Sequence, residues 1–580
     1  MDRRHFLGTL AALPLAARAQ EGPPVVEPVE EMTAPPWPTI TLNHLGFRPR
    51  VGKKQFVVRL TGPSPPKEFV VRDVGDLEVP LRRDLTEARS DFGPCLTGDF
   101  TDLDRPALYQ VTVGGEYSVQ FAIHDEVWRR AMNKAFGYYR YQRCGVEVPG
   151  VHPACHLDDA RRRDTGEHVD VVGGWHDAGD LRKWMSVTML NGVALLNLYR
   201  NNPEPRPADP KREQILEEVR YGNRYFLKMQ DRDGKIWHDA AGGVNGDNSD
   251  NHWTDNVIGT ADDRYINTEK PGEVGAIFAT LQGLVGQCYA ASDSAYAGQC
   301  LAAGARAWKA YEAPSSTSET AWWAMAACEL FRATRASEYR NHAELLGRRL
   351  LEMQNTTFIA DQRRIRGFWM NGEEPFMDIV DSAVPPMALL ELHAAFPEAK
   401  DRQKWLDAVR LYLDEYALPM SARNAYRIIP LGVFIGSPTP ETYRPLGGRL
   451  TYRYFHPVRK QFWWQGANCH LASHALLLGL SYKLTGKREY VDLAYRQLEW
   501  ILGANPFASC MMTGEGMRNP YPHSRFVGLI PGGIMNGIAG NVRDEPVLDL
   551  QYRLDWRTTE YWSPHVAFFI WANSVLEGIS

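Results

Sequence analysis

Two patterns of apolar and polar residues divide the chain. From Thr39 to about His124 they alternate in short runs, as in Gln55-Phe-Val-Val-Arg59, Glu68-Phe-Val-Val-Arg72 and Tyr117-Ser-Val-Gln-Phe121. Glycine and proline separate the runs at strand-and-turn spacing, which predicts a small β-sandwich over residues 39–124. After Asp125 the apolar positions recur every three to four residues. That period predicts twelve helices, near 126–145, 186–201, 214–231, 272–292, 296–312, 318–334, 338–358, 378–397, 399–420, 466–486, 488–505 and 563–579. Several follow one another across short joints, which makes neighbours antiparallel. Six such pairs closed in a ring form an (α/α)6 barrel over residues 125–580; an irregular helical array is the alternative. The long segments 146–185, 232–271, 359–377, 421–465 and 506–562 would then gather as a lined cleft, because loops of that length are usually functional.

The first 38 residues follow neither pattern. Arg3-Arg4 precedes an apolar stretch from Gly8 to Ala17, and Ala17-Arg18-Ala19 offers a small-residue cleavage site. Residues 1–19 therefore read as a twin-arginine export signal, which predicts a periplasmic or secreted protein. The apolar stretch is far short of the ~20 residues that span a bilayer, so no stable membrane anchor is expected. Six prolines (23, 24, 28, 35, 36 and 38) among acidic and small residues make 20–38 an extended linker.

Composition narrows the function classes. The 580 residues include 70 acidic and 65 basic ones, a net charge of −5 that is too balanced for a nucleic-acid binder. With 44% hydrophobic residues, most of the chain can bury a core. Seventeen tryptophans and an aromatic share of 11% supply flat faces with polar tips, suited to a sugar ring or equally to a core. The eight cysteines are scattered and form no disulfide framework.

Chemistry concentrates in Gly173-Gly-Trp175-His176-Asp177-Ala-Gly-Asp180, a loop just before a predicted helix. Two carboxylates three residues apart, with only Ala and Gly between, can turn toward one point and deprotonate one water. Asp180 also falls where the helix dipole would keep it ionised, and it could equally be a plain N-cap. A second constellation is Cys144, Cys155, His156 and His176, two thiols and two imidazoles that suit a closed tetrahedral zinc site. A Cys144–Cys155 disulfide or unrelated buried thiols are the alternatives.

The Gly-Gly-Trp-His-Asp-Ala-Gly-Asp stretch resembles the signature of glycoside hydrolase family 9, inverting cellulases built on an (α/α)6 barrel. Three further stretches resemble the family in order: Leu502-Gly-Ala-Asn505-Pro506 with Thr513-Gly514 and Pro522-His523-Ser524-Arg525; Thr558-Thr-Glu560-Tyr-Trp562-Ser-Pro564-His565; and Asn43-His-Leu-Gly46-Phe47-Arg-Pro49 with Asp99-Phe-Thr-Asp102. The last is similar to the immunoglobulin-like module that precedes the catalytic domain in one branch. The resemblance implies Asp180 as general base, Asp177 positioning the attacking water and Glu560 as general acid. Read alone, Glu560 could be a solvated loop acid. Nearby Tyr561, Trp562 and Trp556 could give it the apolar setting that keeps a carboxyl protonated.

In the same branch the histidine before the first catalytic aspartate belongs to a metal site, which makes structural zinc on Cys144, Cys155, His156 and His176 the implied cofactor. Four protein ligands leave no open position for catalytic zinc. Calcium is possible. The matching region, Ser315–Trp323, keeps Glu319 but has Ser318 where another acid would stand, and Ser316 with Glu319 reads as a capping box. The acid-rich stretches Asp247–Asp250 and Asp262-Asp263 could also supply oxygen ligands. His523, Arg525, Trp175 and Trp562 are the expected substrate contacts. Trp253, Trp369, Trp463 and Trp464 also lie in or beside long segments, whereas Trp308, Trp322, Trp323 and Trp571 fall in helices and suit the core. His565, Glu515 and Ser524 depart from the family's usual residues.

The expected function is inverting hydrolysis of β-1,4-glucosidic bonds in cellulose, cello-oligosaccharides or related β-glucans. The alternatives are an exo-acting glucosidase or glucosaminidase on short oligosaccharides, and a non-catalytic glycan-binding relative.

Overall fold

Alternation in the first pattern becomes two sheets facing one core. One runs in the order Ile40–Thr41, Gln55–Arg59, Cys95–Asp99, Thr86–Ala88. The other runs Gly46–Phe47, Phe121–Ile123, Ala107–Val113, Glu68–Asp73, Leu81–Asp84, with Glu116–Tyr117 beside Ala107–Val113. In Ala107–Val113 every second residue (Tyr109, Val111, Val113) is buried, as a half-buried strand requires. Phe47, Phe56, Phe69, Phe100 and Phe121 meet between the sheets, mostly edge to face. The computed structural model describes residues 39–60, 64–242, 252–359, 365–436, 442–456, 465–524, 528–548 and 556–579. The expected export signal and linker lie outside the described residues.

Each predicted helix is present: α1 (Val127–Tyr141), α2 (Met185–Asn201), α3 (Arg212–Lys228), α4 (Gly272–Tyr289), α5 (Ser294–Ala310), α6 (Thr317–Thr334), α7 (Ser337–Glu352), α8 (Val384–Ala395), α9 (Arg402–Tyr412), α10 (Asn468–Thr485), α11 (Arg488–Ile501) and α12 (Ser563–Glu577). α8 starts later than its apolar pattern, at a Val-Pro-Pro whose prolines fit a first turn. α9 continues through a π-turn, Leu413–Ala417, into Leu418–Ser421, where Pro419 cannot donate to the preceding turn.

The even-numbered helices pack in a closed ring, α2 to α4 to α6 to α8 to α10 to α12 and back to α2, with odd-numbered helices outside. Sequence separates the two sets. α4 is buried without a break from Val274 to Gly286 and α12 from Ser563 to Leu576, as helices surrounded by protein must be. Outer α3 instead buries Ile215, Val219, Tyr225 and Phe226 and exposes Glu213, Glu217 and Arg224. This is an (α/α)6 barrel, and the inner helices all begin at one end, where the long segments arrive.

The stretch Asn43–Pro49 docks the sandwich on the barrel. Asn43 closes a turn by donating to the Gly46 carbonyl, and Gly46 (φ +112°) allows a close approach: a Cβ there would lie 1.9 Å from the Ala122 carbonyl oxygen. Arg48 then donates to the Leu576 and Ile579 carbonyls at the end of α12, where a cation complements the helix dipole.

Candidate active site

The loop before α2 is fastened from several directions. Gln142, at the end of α1, donates to the Ala178 carbonyl. The Asp177 N–H donates to the Arg182 carbonyl, and the Asp177 carbonyl accepts from the Ser563 N–H at 2.7 Å. Gly179 has no side chain because a Cβ there would lie 2.5 Å from the His523 carbonyl oxygen. Leu181, fully buried, holds a left-handed φ of 69°, a conformation that costs a non-glycine residue ~1–2 kcal/mol. The Asp180 carboxylate accepts from the Arg182 N–H at 3.1 Å. It is no N-cap: α2 begins only at Met185, capped by Trp184, so the helix-dipole and capping readings of Asp180 both give way to a local turn.

Glu560 is carried to this loop by strand-like pairing. Ala178 pairs with Trp562 and Met535 with Tyr561, while the Glu560 carbonyl accepts from the Asn536 N–H at 2.7 Å. The Trp562 indole donates to Asp177 Oδ2 at 3.0 Å. The other Asp177 oxygen is buried with no protein partner. Burial pushes the Asp177 carboxyl well above the usual carboxylate range, and the charge of Asp180 pushes it further. Burial likewise raises the phenol of Tyr561, with the charges of both Glu560 and Asp180 adding to it. Both carboxylates thus lie within electrostatic range of one phenol. The His523 N–H donates to the Thr559 carbonyl and the Ser524 hydroxyl to the Gly179 carbonyl, so the third motif closes the same cluster. Arg525 lies outside the described residues.

Behind the loop, Cys144, Cys155, His156 and His176 are buried together, each with a ligand atom within 4.8 Å of the others. Cys144 Sγ lies 3.6 Å from His156 Nδ1, and Cys155 Sγ 3.8 Å from His176 Nε2. Sulfur at about 2.3 Å and nitrogen at about 2.0 Å around tetrahedral zinc would be about 3.6 Å apart, so the four side chains fit that ion. His156 Nε2 meets the His252 carbonyl at 3.2 Å, the outer contact that orients a metal-binding imidazole. Against the upward push of burial, Cys155 and the charge of Lys183 hold the Cys144 thiol well below its usual range. All eight cysteines are free, so the disulfide alternative fails.

The sequence profile of glycosyl hydrolase family 9 matches residues 128–530. The chain belongs to glycosyl hydrolase family 9. A cellodextrinase of Butyrivibrio fibrisolvens is 24% identical over 494 residues, 76% of this chain and 80% of its own. The solved structure of a metagenome-derived family 9 endoglucanase superimposes with a TM-score of 0.72 at 21% identity, over 93% of this chain and 99% of that one. A Zn-binding triple mutant of the family 9 endoglucanase J30 gives a TM-score of 0.68 at 22% identity, over 91% and 99%. This chain is thus a glycoside hydrolase of the cellulase type, acting on β-1,4-glucans, with an immunoglobulin-like sandwich before its barrel.

The family 9 cluster contains charges that single-sequence reading missed. Buried Asp159 pairs with both Lys183 and Arg264, each at 2.6 Å; Lys183 donates onward to the Val171 and Gly173 carbonyls and Arg264 to Leu181. Arg182 forms a tight buried pair with Asp239, and Trp184 lies 6.3 Å from Trp562 across the site. The paired charges come from positions 24 to 105 residues apart, so no local spacing announces them.

Several expected contacts move. Trp175 is fully buried, donates to Glu218 at 2.8 Å and packs on Tyr139 and Phe226; it is a core residue, not a sugar platform. Trp369 is likewise buried, donating to the Leu350 carbonyl. Trp253 covers the metal cluster, stacked on His156. Trp463 and Trp464 lie outside the described residues. Trp322, Trp323 and Trp571 are core, as expected, and Trp308 packs half-buried on Trp323. His565 is fully buried and shares a 2.7 Å hydrogen bond with Asn536, supporting Glu560 from behind. Glu515 pairs with Arg130 and Lys134 of α1. Ser316 accepts from the Glu319 N–H as an N-cap, while the Glu319 carboxylate accepts from the Ser315 N–H and hydroxyl, one residue before the cap, so the expected capping box is formed in part. Asp247 and Asp250 lie outside the described residues. No described helix is long and apolar enough to cross a membrane.

Proposed function

We propose that this hydrolase cleaves β-1,4-glucosidic bonds with inversion, with Asp180 as general base, Asp177 positioning the attacking water and Glu560 as general acid. The observation that carries this reading is the pairing of Ala178 with Trp562, which fastens the Asp177–Asp180 loop to the Glu560 segment. Inversion needs one ionised and one protonated carboxyl, far enough apart to admit water. The Asp177 carboxyl, raised by burial and by the charge of Asp180, is set apart from the less buried Asp180 three residues on. The unpartnered Asp177 oxygen then has a lone pair available to hold the water. On the other side, Glu560 is only 8% exposed, between the buried Thr559 and Tyr561. Half-buried Trp184 and Trp562, with His523 and Arg525, would grip the sugar on either side of the broken bond.

Asp180→Ala and Glu560→Ala should each abolish turnover of cellohexaose without unfolding the chain. NMR of the first product should show the α-anomer; a β-anomer would refute inversion.

For the substrate, soluble cello-oligosaccharides are the reading we favour. The twin-arginine signal, whose route ends in the periplasm, points there, and the relative named a cellodextrinase supports it. Zinc on Cys144, Cys155, His156 and His176 would be structural, closing its tetrahedron with protein and tying the loop after α1 to the catalytic loop.

A further inference from the structure

Just after Asp180 the chain enters a short strand pair that brings one more polar group to the site. Lys183–Trp184 pairs antiparallel with Asp239–Ala241, which sets Trp184 opposite Asp239. His238, immediately before that strand, is held by its backbone: its N–H donates to the Asn267 carbonyl and its carbonyl accepts from the Met185 N–H, both at 3.1 Å. Its imidazole is half-buried, with Nδ1 2.7 Å from Asp239 Oδ2 and the ring centre 5.8 Å from that of Trp184. Asp239 already has its countercharge in Arg182, whose guanidinium also lies 4.3 Å over the Trp184 ring. Against the upward push of burial, His238 and Arg182 hold the Asp239 carboxyl below its usual range, so it is an ionised acceptor with no hydrogen of its own. Nδ1 must then carry the shared hydrogen, and in the neutral imidazole Nε2 presents a lone pair.

Nε2 itself is uncommitted. Among the described residues it has no protein partner, yet it is not sealed from solvent as Asp177 Oδ1 is. The surroundings tie it to the reacting groups: Trp184 lies 6.3 Å from Trp562, and the Trp562 indole holds Asp177 Oδ2. An oriented acceptor open to solvent beside an aromatic face has the two parts of a sugar subsite, since the ring takes the apolar face of a pyranose and the polar atom selects one hydroxyl. We propose that His238 Nε2 accepts a hydrogen bond from one hydroxyl of the bound glucan beside Trp184, which makes His238 a specificity-determining contact. Asp239 and Arg182 act through the imidazole, fixing its tautomer and direction, and are positioning residues. The identity of the ligand as a β-glucan rests on the hydrolase reading above; the contact itself needs no catalytic role for Asp177, Asp180 or Glu560.

The test is binding to the whole chain, measured by calorimetry with a cellotetraose whose linkages carry sulfur in place of oxygen and so resist hydrolysis. His238→Asn keeps an amide N–H where Nδ1 stood and removes the acceptor at Nε2; His238→Gln puts an amide oxygen near Nε2. His238→Asn should bind about fivefold or more weakly than wild type, with an unfolding midpoint within about 2 °C of it, and His238→Gln should recover at least half of the loss. Analogues lacking one hydroxyl each identify the partner: one should lose as much in wild type as His238→Asn loses on the parent sugar, and nothing further in that variant. Unchanged affinity in His238→Asn, or losses that add for every analogue, would overturn the contact. A second readout uses the unmutated chain. Labelling of His238 by diethyl pyrocarbonate, mapped by peptide mass spectrometry, should slow about threefold or more when the tetrasaccharide is saturating. Labelling indifferent to the sugar would overturn the proposal even if His238→Asn failed to fold. Wild type that does not bind the tetrasaccharide would sink the β-glucan reading and this contact together, whereas binding indifferent to His238 would leave the hydrolase reading standing.

Discussion

The two segments that meet at the active site are built on opposite principles. The Asp177–Asp180 loop adds charge to its backbone hydrogen bonds: Asp159 with Lys183 and Arg264, Arg182 with Asp239, and the Cys144, Cys155, His156, His176 cluster behind them. The Glu560 segment is fastened by neutral hydrogen bonds, from Asn536 to the Glu560 carbonyl, from Asn536 to the Trp556 carbonyl, and between His565 and Asn536. Charge clamps are unforgiving, because removing one partner strands the other in a low-dielectric interior. Neutral backbone hydrogen bonds each contribute only about 1 kcal/mol net and yield one at a time. The side proposed to carry the base is thus rigid and sensitive to its clamps, and the side proposed to carry the acid is more tolerant.

The sharpest way to break that contrast is at the carboxylates themselves. Removal of a general acid or base typically costs 10²–10⁴ in rate. Asp180→Ala and Glu560→Ala should each lose about 10³-fold or more in kcat on cellohexaose. They should part company on an aryl cellobioside whose leaving group needs no proton. There Glu560→Ala should recover at least 10-fold relative to Asp180→Ala, as measured by release of the phenolate. Equal losses on both substrates would show that the two sides do not divide the work as proposed.

Next in size is the clamp. Asp159→Asn leaves Lys183 and Arg264 buried without their shared carboxylate, a change that typically costs about 3–5 kcal/mol. Asn536→Ala, the matching lesion on the other side, should cost about 1–2 kcal/mol. Urea unfolding of both variants measures the difference, and equal losses would dissolve the comparison. The proposed zinc belongs with the clamp. Cys144→Ser should lower bound zinc from one per chain to near none and lower the unfolding midpoint, while Asn536→Ala keeps its zinc.

How much of this could be read from the sequence follows the same division. The twelve helices were legible because a 3.6-residue period reports which face is buried, and the ring order follows from which helices are apolar all round. The gathering of Cys144, Cys155, His156 and His176 was legible from their residue types, and the carboxylates proposed for catalysis were singled out because they sit in compact motifs. Trp175 misled because a place in a long loop says nothing about burial; Glu218, 43 residues on, satisfies its indole nitrogen and makes it a core residue. The dipole and N-cap readings of Asp180 misled although α2 starts at Met185, close to where its period placed it: the turn at Leu181 separates the carboxylate from that start. Asp159, Lys183 and Arg264 were illegible because charged residues look alike until folding brings distant ones together.

The smallest effect probes the neutral side through pH. Burial lowers the His565 pKa from 6.5 to about 3, so the folded chain keeps this imidazole neutral while the unfolded chain protonates it near 6.5. Below pH 6.5 the unfolded state binds one proton more. The stability that neutral His565 contributes is therefore full above 6.5 and lost as pH falls toward 3. The slope is about 1.4 kcal/mol per pH unit for one such group. Urea unfolding between pH 6.5 and 4.5 should fall more steeply in wild type than in His565→Gln, by about that amount per unit. His44 and His474, each lowered to about 4 by burial, add the same sign in both proteins and cancel in the difference. Glutamine can keep the contact with Asn536, so its kcat near pH 7 should stay within a fewfold of wild type. Parallel slopes would mean that His565 is not held neutral, and that a charge can be tolerated behind Glu560 after all.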